Sequence, residues 1–406
     1  MKYLAYQTQS DLMEPVRFGA HMARRLLDSP FMAALQGAAG VRHLAAAYEM
    51  VERASLSHAR LPFGIKTVEV GNREVEVTEE VVNVLPFGSL LHFKKDVEIA
   101  QPRVLVVAPL SGHFATLLVG TVKTLLPDHD VYITDWHNAR DVSLEHGPFA
   151  FDDYVEHVVK FLEFMGPGAH LIAVCQPCVQ ALVAAAVMAQ SGNPATPRSM
   201  TLMAGPIDCR VNPTKVNELA TSKPIEWFKK NLIATVPMGF AGSGRKVYPG
   251  FIQLSAFVSM NLGRHLKAHF ELYDNLAAGE LDKAETTKTF YDEYFAVLDL
   301  AAEFYLETVQ YVFQEYRLPK GELTYRGDPI DFTSIRRTSL LTVEGERDDI
   351  CSLGQTVAAQ DICSGLKPHR KRHHMQAGVG HYGVFSGRKW ASQVYPLVRN
   401  HILASD

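Results

Sequence analysis

Three features of this sequence predict an α/β architecture, a mostly parallel sheet with helices on both faces. Continuous apolar runs of strand length recur along the chain, helical stretches alternate with them, and one long aromatic-rich interval interrupts the alternation. A strand that is apolar at every residue must be covered on both faces, and parallel strands need a helical crossover between them. The interruption predicts a large, mainly helical insertion, and 406 residues leave room for both parts.

Taken in order, residues 1–60 read as helical, with apolar positions at helical spacing in Phe31-Met32-Ala33-Ala34-Leu35 and Leu44-Ala45-Ala46-Ala47-Tyr48. Residues 66–95 alternate β-branched residues with charges around an Asn72-Arg73 turn, which predicts antiparallel strands. The first buried strand is Arg103-Val104-Leu105-Val106-Val107-Ala108-Pro109, with a helix around 117–126 and a second strand over 130–136. An amphipathic helix over 151–165 precedes a third strand, 169–174, and helix 177–190 follows that strand directly. Further strands are expected at 199–204 and 339–343, and a last one at 373–376. The division expected is an N-terminal helical region (1–65), a first part of the core (66–208), a cap over the strands' C-terminal edge (209–335) and the second part of the core (336–406).

Apolar residues make up 47% and charged residues 21%, as in soluble globular proteins. A net charge of −4 gives no reason to expect nucleic-acid or anionic-membrane binding. The local exception, His369-Arg370-Lys371-Arg372-His373-His374, reads as a solvated loop. Five cysteines, an odd number, favour a reducing compartment over a disulfide scaffold. Asp11 and Glu14 stand where a signal peptide needs apolar residues, and the longest apolar run, Ala181 to Ala189, falls short of the roughly 18 residues a membrane span needs. The expectation is a cytoplasmic protein without a transmembrane segment.

The chemistry centres on Val174-Cys175-Gln176-Pro177-Cys178, where a buried strand turns into an alanine-rich helix. A strand–turn–helix of this kind lifts one side chain above the sheet edge at a helix N-terminus, where the dipole and free N–H groups favour a thiolate. Small Ala173 suits the tight turn, and Pro177 suits a first helical turn. By itself the segment fits a nucleophile, a C-x-x-C dithiol, half a metal site or inert buried cysteines. Cys351 and Cys363 lack the spacing of a second ligand pair, and no aromatic residue immediately precedes Cys175.

The rest of the chain narrows the choice. Val343-Glu344-Gly345-Glu346-Arg347-Asp348-Asp349 puts a carboxylate just past a late strand, with Asp348 fitting the spacing better than Asp349. Ala377-Gly378-Val379-Gly380-His381-Tyr382-Gly383 puts a histidine on a glycine-rich loop after the last strand. Nucleophile, acid, histidine, with a cap inserted before the acid, is the chain order of α/β-hydrolases. No Gly-x-Ser-x-Gly box competes, and Ser243-x-x-Lys246 and Ser386-x-x-Lys389 match the penicillin-binding pattern by spelling only. An oxyanion hole is expected from the Gln176 N–H and one from Leu110 or Ser111 in the loop after the first buried strand. Gly112 in that loop permits close backbone approach, and His113 is a candidate substrate contact or a structural histidine.

The segments VLVVAPLSGHFATLL, VYITDWHNARDV, HLIAVCQP, LLTVEGERDDI and GVGHYGVFSGRKW together resemble the intracellular polyhydroxybutyrate depolymerases, a resemblance running from the N-terminal helices to Trp390. That resemblance implies Cys175 as nucleophile, Asp348 as acid and His381 as base, with no lipase box, no metal and no cofactor. It implies poly(3-hydroxybutyrate) in storage granules or its soluble oligomers as substrate and partner, and a cytoplasmic, granule-associated enzyme; a homo-oligomer is compatible with it. Polyhydroxyalkanoate synthases share a cysteine triad, but carry a Gly-x-Cys-x-Gly-Gly box where this chain has Ala173-Val174-Cys175-Gln176-Pro177. Acyl transfer to a thiol such as coenzyme A, and a non-catalytic granule-binding role, stay open as alternatives. For the latter, the uncharged segment Val247–Leu262 could touch polymer or be a buried cap helix.

Overall fold

The computed structural model describes residues 2–260 and 262–406. The chain opens with two helices packed together, α1 (Lys2–Leu27) and α2 (Ala39–Arg53). The apolar run 31–35 between them is not helical beyond a 3-10 turn at Pro30–Met32, and Phe31 is 89% exposed. Pro30 has no N–H with which to continue α1, so the helical spacing that follows it is not realised as a helix.

The main sheet has nine strands: β1 (Thr67–Val70), β2 (Arg73–Leu85), β3 (Gly88–Lys95), β4 (Arg103–Val107), β5 (Asp130–Trp136), β6 (His170–Val174), β7 (Ser199–Met203), β8 (Ser339–Gly345) and β9 (Lys371–Gln376). β1 and β2 form a hairpin whose Val70–Arg73 pairing makes Gly71-Asn72 the turn, one residue earlier than expected. Gly71 supplies the φ of +61° that the tight turn requires.

The strand order is β1-β2-β3-β5-β4-β6-β7-β8-β9. β1, β2, β3 and β5 pair antiparallel, and the rest from β5 to β9 pair parallel. β6, β7 and β8 are buried at every residue, so helices cover both faces. These helices include α3 (Val119–Leu125), α4 (Phe151–Met165) and α5 (Cys178–Gln190). α5 is apolar on all sides and almost wholly buried, as a helix enclosed between sheet and neighbours must be. This is the α/β-hydrolase fold. From β4 the chain winds one way to β5, and from β6 it winds the other way to β7. The loops after β4 and β6 therefore diverge, and a crevice opens at their C-terminal ends.

Between β7 and β8 lie α6 (Lys215–Thr221), α7 (Ile225–Leu232), α8 (Gly250–Met260), α9 (Leu262–Ala278), α10 (Leu281–Tyr294) and α11 (Ala302–Thr308). Three short strands, Ala234–Thr235, Lys246–Tyr248 and Leu300–Ala301, add a small antiparallel sheet that two- and three-residue runs did not signal. The interval is fastened to the crevice: the Leu298 N–H donates to the Gly112 carbonyl (3.0 Å) and the Ala139 N–H to the Asp299 carbonyl (3.0 Å). Of the uncharged segment 247–262, Val247, Tyr248 and Leu254 are buried, and Phe251 stacks on Tyr6 of α1 at 4.2 Å. The basic run is not simply a loop: Lys371–Gln376 forms the edge strand β9, where cations discourage pairing with another sheet. No helix among the described residues is long and apolar enough to cross a membrane.

Candidate active site

Cys175 leaves β6 with φ +67°, a left-handed conformation that costs a non-glycine residue roughly 1–2 kcal/mol. Its neighbours hold it there. The Cys175 N–H donates to the Met203 carbonyl (2.8 Å), and its own carbonyl accepts from Cys178 N–H (3.1 Å) at the start of α5. Gly205 presses against the turn from the end of β7. A Cβ at Gly205 would stand 2.2 Å from the Cys178 Cβ and 3.1 Å from the Cys175 carbonyl, so only glycine fits. Sequence reasoning missed Gly205, since no local motif surrounds it and its partner lies 27 residues upstream.

Cys178 is fully buried, and its thiol donates toward the Ala173 (3.4 Å) and Met203 (3.6 Å) carbonyls. Burial pushes that thiol well above its ordinary range, with the neighbouring Cys175 adding to the effect. Cys178 therefore fills the helix–sheet interface while Cys175 lines a cavity.

His381 begins a 3-10 turn after β9, and its Nδ1 lies 2.8 Å from Asp348 Oδ2. Asp348 Oδ1 accepts from the backbone N–H groups of Ile350 and Cys351, both at 2.9 Å. The next residue, Asp349, is exposed. On its other side the imidazole faces Cys175, and the two line one cavity. Burial, the largest single influence on His381, opposes a charge on the ring. The Cys175 and Asp348 charges and the hydrogen bond to Asp348 outweigh it and hold the imidazole well above its usual range.

The loop carrying Asp348 rests on Glu344, a buried carboxylate to which the sequence alone assigned no role. Its Oε1 accepts from the N–H groups of Gly354 (3.1 Å), Thr356 (2.8 Å) and Val357 (2.9 Å). Thr356 then ties this loop to the elbow, accepting from Gly205 N–H (2.9 Å) and donating to the Gly205 carbonyl (3.0 Å).

The loop after β4 faces Cys175 across the cavity. Its start is fixed by Trp136 Nε1 and the Tyr154 hydroxyl, which both donate to the Ala108 carbonyl (2.8 and 2.9 Å). Gln253 of α8 donates to the Ser111 carbonyl. Leu110, Ser111, His113, Cys175, Gln176 and His381 line the same cavity, of about 210 Å³, with otherwise mostly apolar walls. Gly112 stands behind the wall: with φ +92° it leaves room for Gln253, whose Cδ a Cβ would approach to 2.9 Å. The His113 ring stacks on Tyr294 at 4.9 Å, and burial lowers its pKa to about 4, so it faces the cavity neutral. No group of three or more His, Cys, Asp or Glu side chains among the described residues could hold a metal ion.

Such an arrangement can move a proton between a sulfur and a carboxylate-oriented imidazole, next to backbone donors, in a water-poor pocket. Solved structures similar to the chain include a lipase candidate from Acinetobacter baumannii AYE, at 14% identity and TM-score 0.45, covering 81% of this chain and 93% of that one. Another is the 2-hydroxy-6-oxo-6-phenylhexa-2,4-dienoate hydrolase of Rhodococcus sp. strain RHA1, at 11% identity and TM-score 0.45, covering 81% and 99%. A third is the Bacillus megaterium epoxide hydrolase, at 10% identity and TM-score 0.46, covering 83% and 99%. No curated protein matches the sequence. A family model does: the one described as PHB de-polymerase C-terminus matches residues 204–406, from the end of β7 through the cap, Asp348 and His381 to the last residue. With half its length accounted for in this way, the chain belongs to the PHB de-polymerase family, built on an α/β-hydrolase scaffold.

Proposed function

We propose that this hydrolase cleaves the ester bonds of poly(3-hydroxybutyrate) in intracellular granules, and of its soluble oligomers, with Cys175 as nucleophile. The observation that carries the reading is one constellation. A cysteine strained to φ +67° at a strand–helix elbow meets an imidazole bonded at 2.8 Å to a buried carboxylate, inside an apolar cavity. Membership of the PHB de-polymerase family supports the choice of polyester.

In this mechanism the Cys175 proton passes to His381 Nε2 first, and the resulting thiolate attacks an ester carbonyl carbon. The carbonyl π electrons move to oxygen, where the N–H groups of Gln176 and of Leu110 or Ser111 receive the negative charge. When the tetrahedral centre collapses, the C–O ester bond breaks. The departing 3-hydroxyl oxygen takes the proton from His381, leaving an acyl thioester on Cys175. Water, deprotonated by the same imidazole, then attacks the thioester; the C–S bond breaks, the proton returns to sulfur, and the free acid leaves. Asp348 holds the ring in one tautomer and stabilises its charged form. The neutral His113 is assigned to the wall that receives the chain.

The test is product analysis on purified amorphous granules, with and without coenzyme A, for the wild type and Cys175→Ala. Release of 3-hydroxybutyrate or its oligomers without coenzyme A, abolished in Cys175→Ala, is the expected result. Polymer growth from 3-hydroxybutyryl thioesters, or turnover that survives the substitution, would sink it.

A further inference from the structure

An insoluble polyester cannot diffuse into a buried cavity, so the protein must bring its cavity mouth to the polymer. The mouth can be located. Of the side chains lining the cavity, Leu219 on α6 is the one exposed to solvent, 52% accessible while also forming part of the wall. The next helix continues this surface. Phe228 of α7 is buried in the cavity wall, and Trp227 lies edge-on to it at 5.4 Å with 40% of its surface in solvent. Leu219 and Trp227 are thus apolar residues held in water on the two helices whose neighbouring residues, Ala220 and Phe228, form one buried cluster with Val309.

The charges around them complement a polyester. Residues 215–230 carry four lysines (215, 223, 229 and 230) against two glutamates (218 and 226). The lysines are exposed, with no ion-pair partner recorded among the described residues. A polyester offers only hydrogen-bond acceptors along its length and carboxylates at its chain ends, so ammonium donors suit it and a carboxylate-rich rim would not.

We propose that Leu219, Trp227 and the lysines beside them form the surface that settles on the granule, so that a polymer segment passes into the cavity without crossing water. This inference rests on the reading of the substrate as a polyester. Trp227 lies outside the cavity wall, so removing it probes docking and leaves the chemistry intact. The experiment compares wild type, Trp227→Ser and Lys229→Gln/Lys230→Gln in co-sedimentation with amorphous poly(3-hydroxybutyrate) granules. It also follows hydrolysis of the granules and of a soluble ester, p-nitrophenyl butyrate.

About a tenfold loss of granule binding and granule turnover is expected for Trp227→Ser. A smaller loss is expected for the lysine variant, and unchanged kcat/KM on the soluble ester for both. Wild-type binding in Trp227→Ser, or its loss instead in Phe18→Ser/Phe31→Ser, exposed residues on α1 and in the turn after it, overturns the assignment of this surface. Preference for anionic phospholipid vesicles over granules overturns the choice of partner. If the wild type itself releases nothing from granules, the substrate reading falls, which is a different result from a Trp227 variant that behaves as wild type.

Discussion

At the scale of single residues, the elbow sets stability against reactivity. Cys175 occupies a left-handed conformation because Gly205, the Met203 carbonyl and the start of α5 leave the chain no other course. A glycine there would adopt φ +67° without the steric cost, though it would lose more backbone entropy on folding. Cys175→Gly is therefore expected to raise the denaturation midpoint, by about 1 kcal/mol of stability at most, while abolishing ester cleavage. Urea unfolding monitored by tryptophan fluorescence checks the first part, and an unchanged or lower midpoint would count against strain at this position. The second cysteine behaves oppositely. Cys178→Ala should cost about 1 kcal/mol in lost packing and leave activity close to wild type, since the thiol faces carbonyls between helix and sheet. Loss of catalysis with intact folding would revive the dithiol reading of the C-x-x-C spelling.

At the scale of elements, the loop between β8 and the following helical turns has to deliver Asp348 to a histidine 33 residues later. Glu344 accomplishes this from below by accepting three backbone N–H groups. Glu344→Ala leaves those donors without an acceptor beside the site. An expected loss of about 2–4 kcal/mol follows, together with a fall in kcat from a displaced Asp348; a variant with wild-type stability and rate would show the anchor to be dispensable. Here the limits of sequence reading become physical. β4 to β8 and α4 were legible because a strand buried on both faces can only be apolar throughout, and an amphipathic helix must repeat every 3.6 residues. α6 to α11 were expected only as a mainly helical interval. Glu344 was not legible, because a buried carboxylate is tolerated only when backbone donors surround it, and their positions are a property of the folded loop. Gly205 was hidden for a related reason: its close approach to Cys178 exists only once β6 and β7 are side by side. The spacing of Asp348 and His381 from their strands could be read, since each follows a recognisable strand end; the neutral, buried state of His113 could not.

For the whole molecule, the question is how the cap stays seated on the sheet, and Asp299 lies at that joint. Its backbone N–H donates to Asn138 Oδ1 (3.0 Å) after β5, and its Oδ1 accepts from Gly250 N–H (2.8 Å) at the start of α8. Oδ2 is buried without a partner among the described residues. Burial, only partly offset by the Gly250 hydrogen bond, pushes the carboxyl up to about 7. A carboxyl whose folded pKa lies above its unfolded value near 3.9 binds protons more tightly when folded. Its contribution to stability is thus fully present below about pH 4 and is lost as pH rises through about 7. The loss by pH 8 is on the order of 4 kcal/mol. Asn in its place keeps an oxygen for Gly250 and removes the charge. Asp299→Asn should therefore melt higher than the wild type at pH 8, with the gap closing as pH falls toward 4. Thermal melts of both proteins across that range measure the gap directly. A difference independent of pH would mean that Asp299 is held ionised, and that the cap joint does not sense protonation.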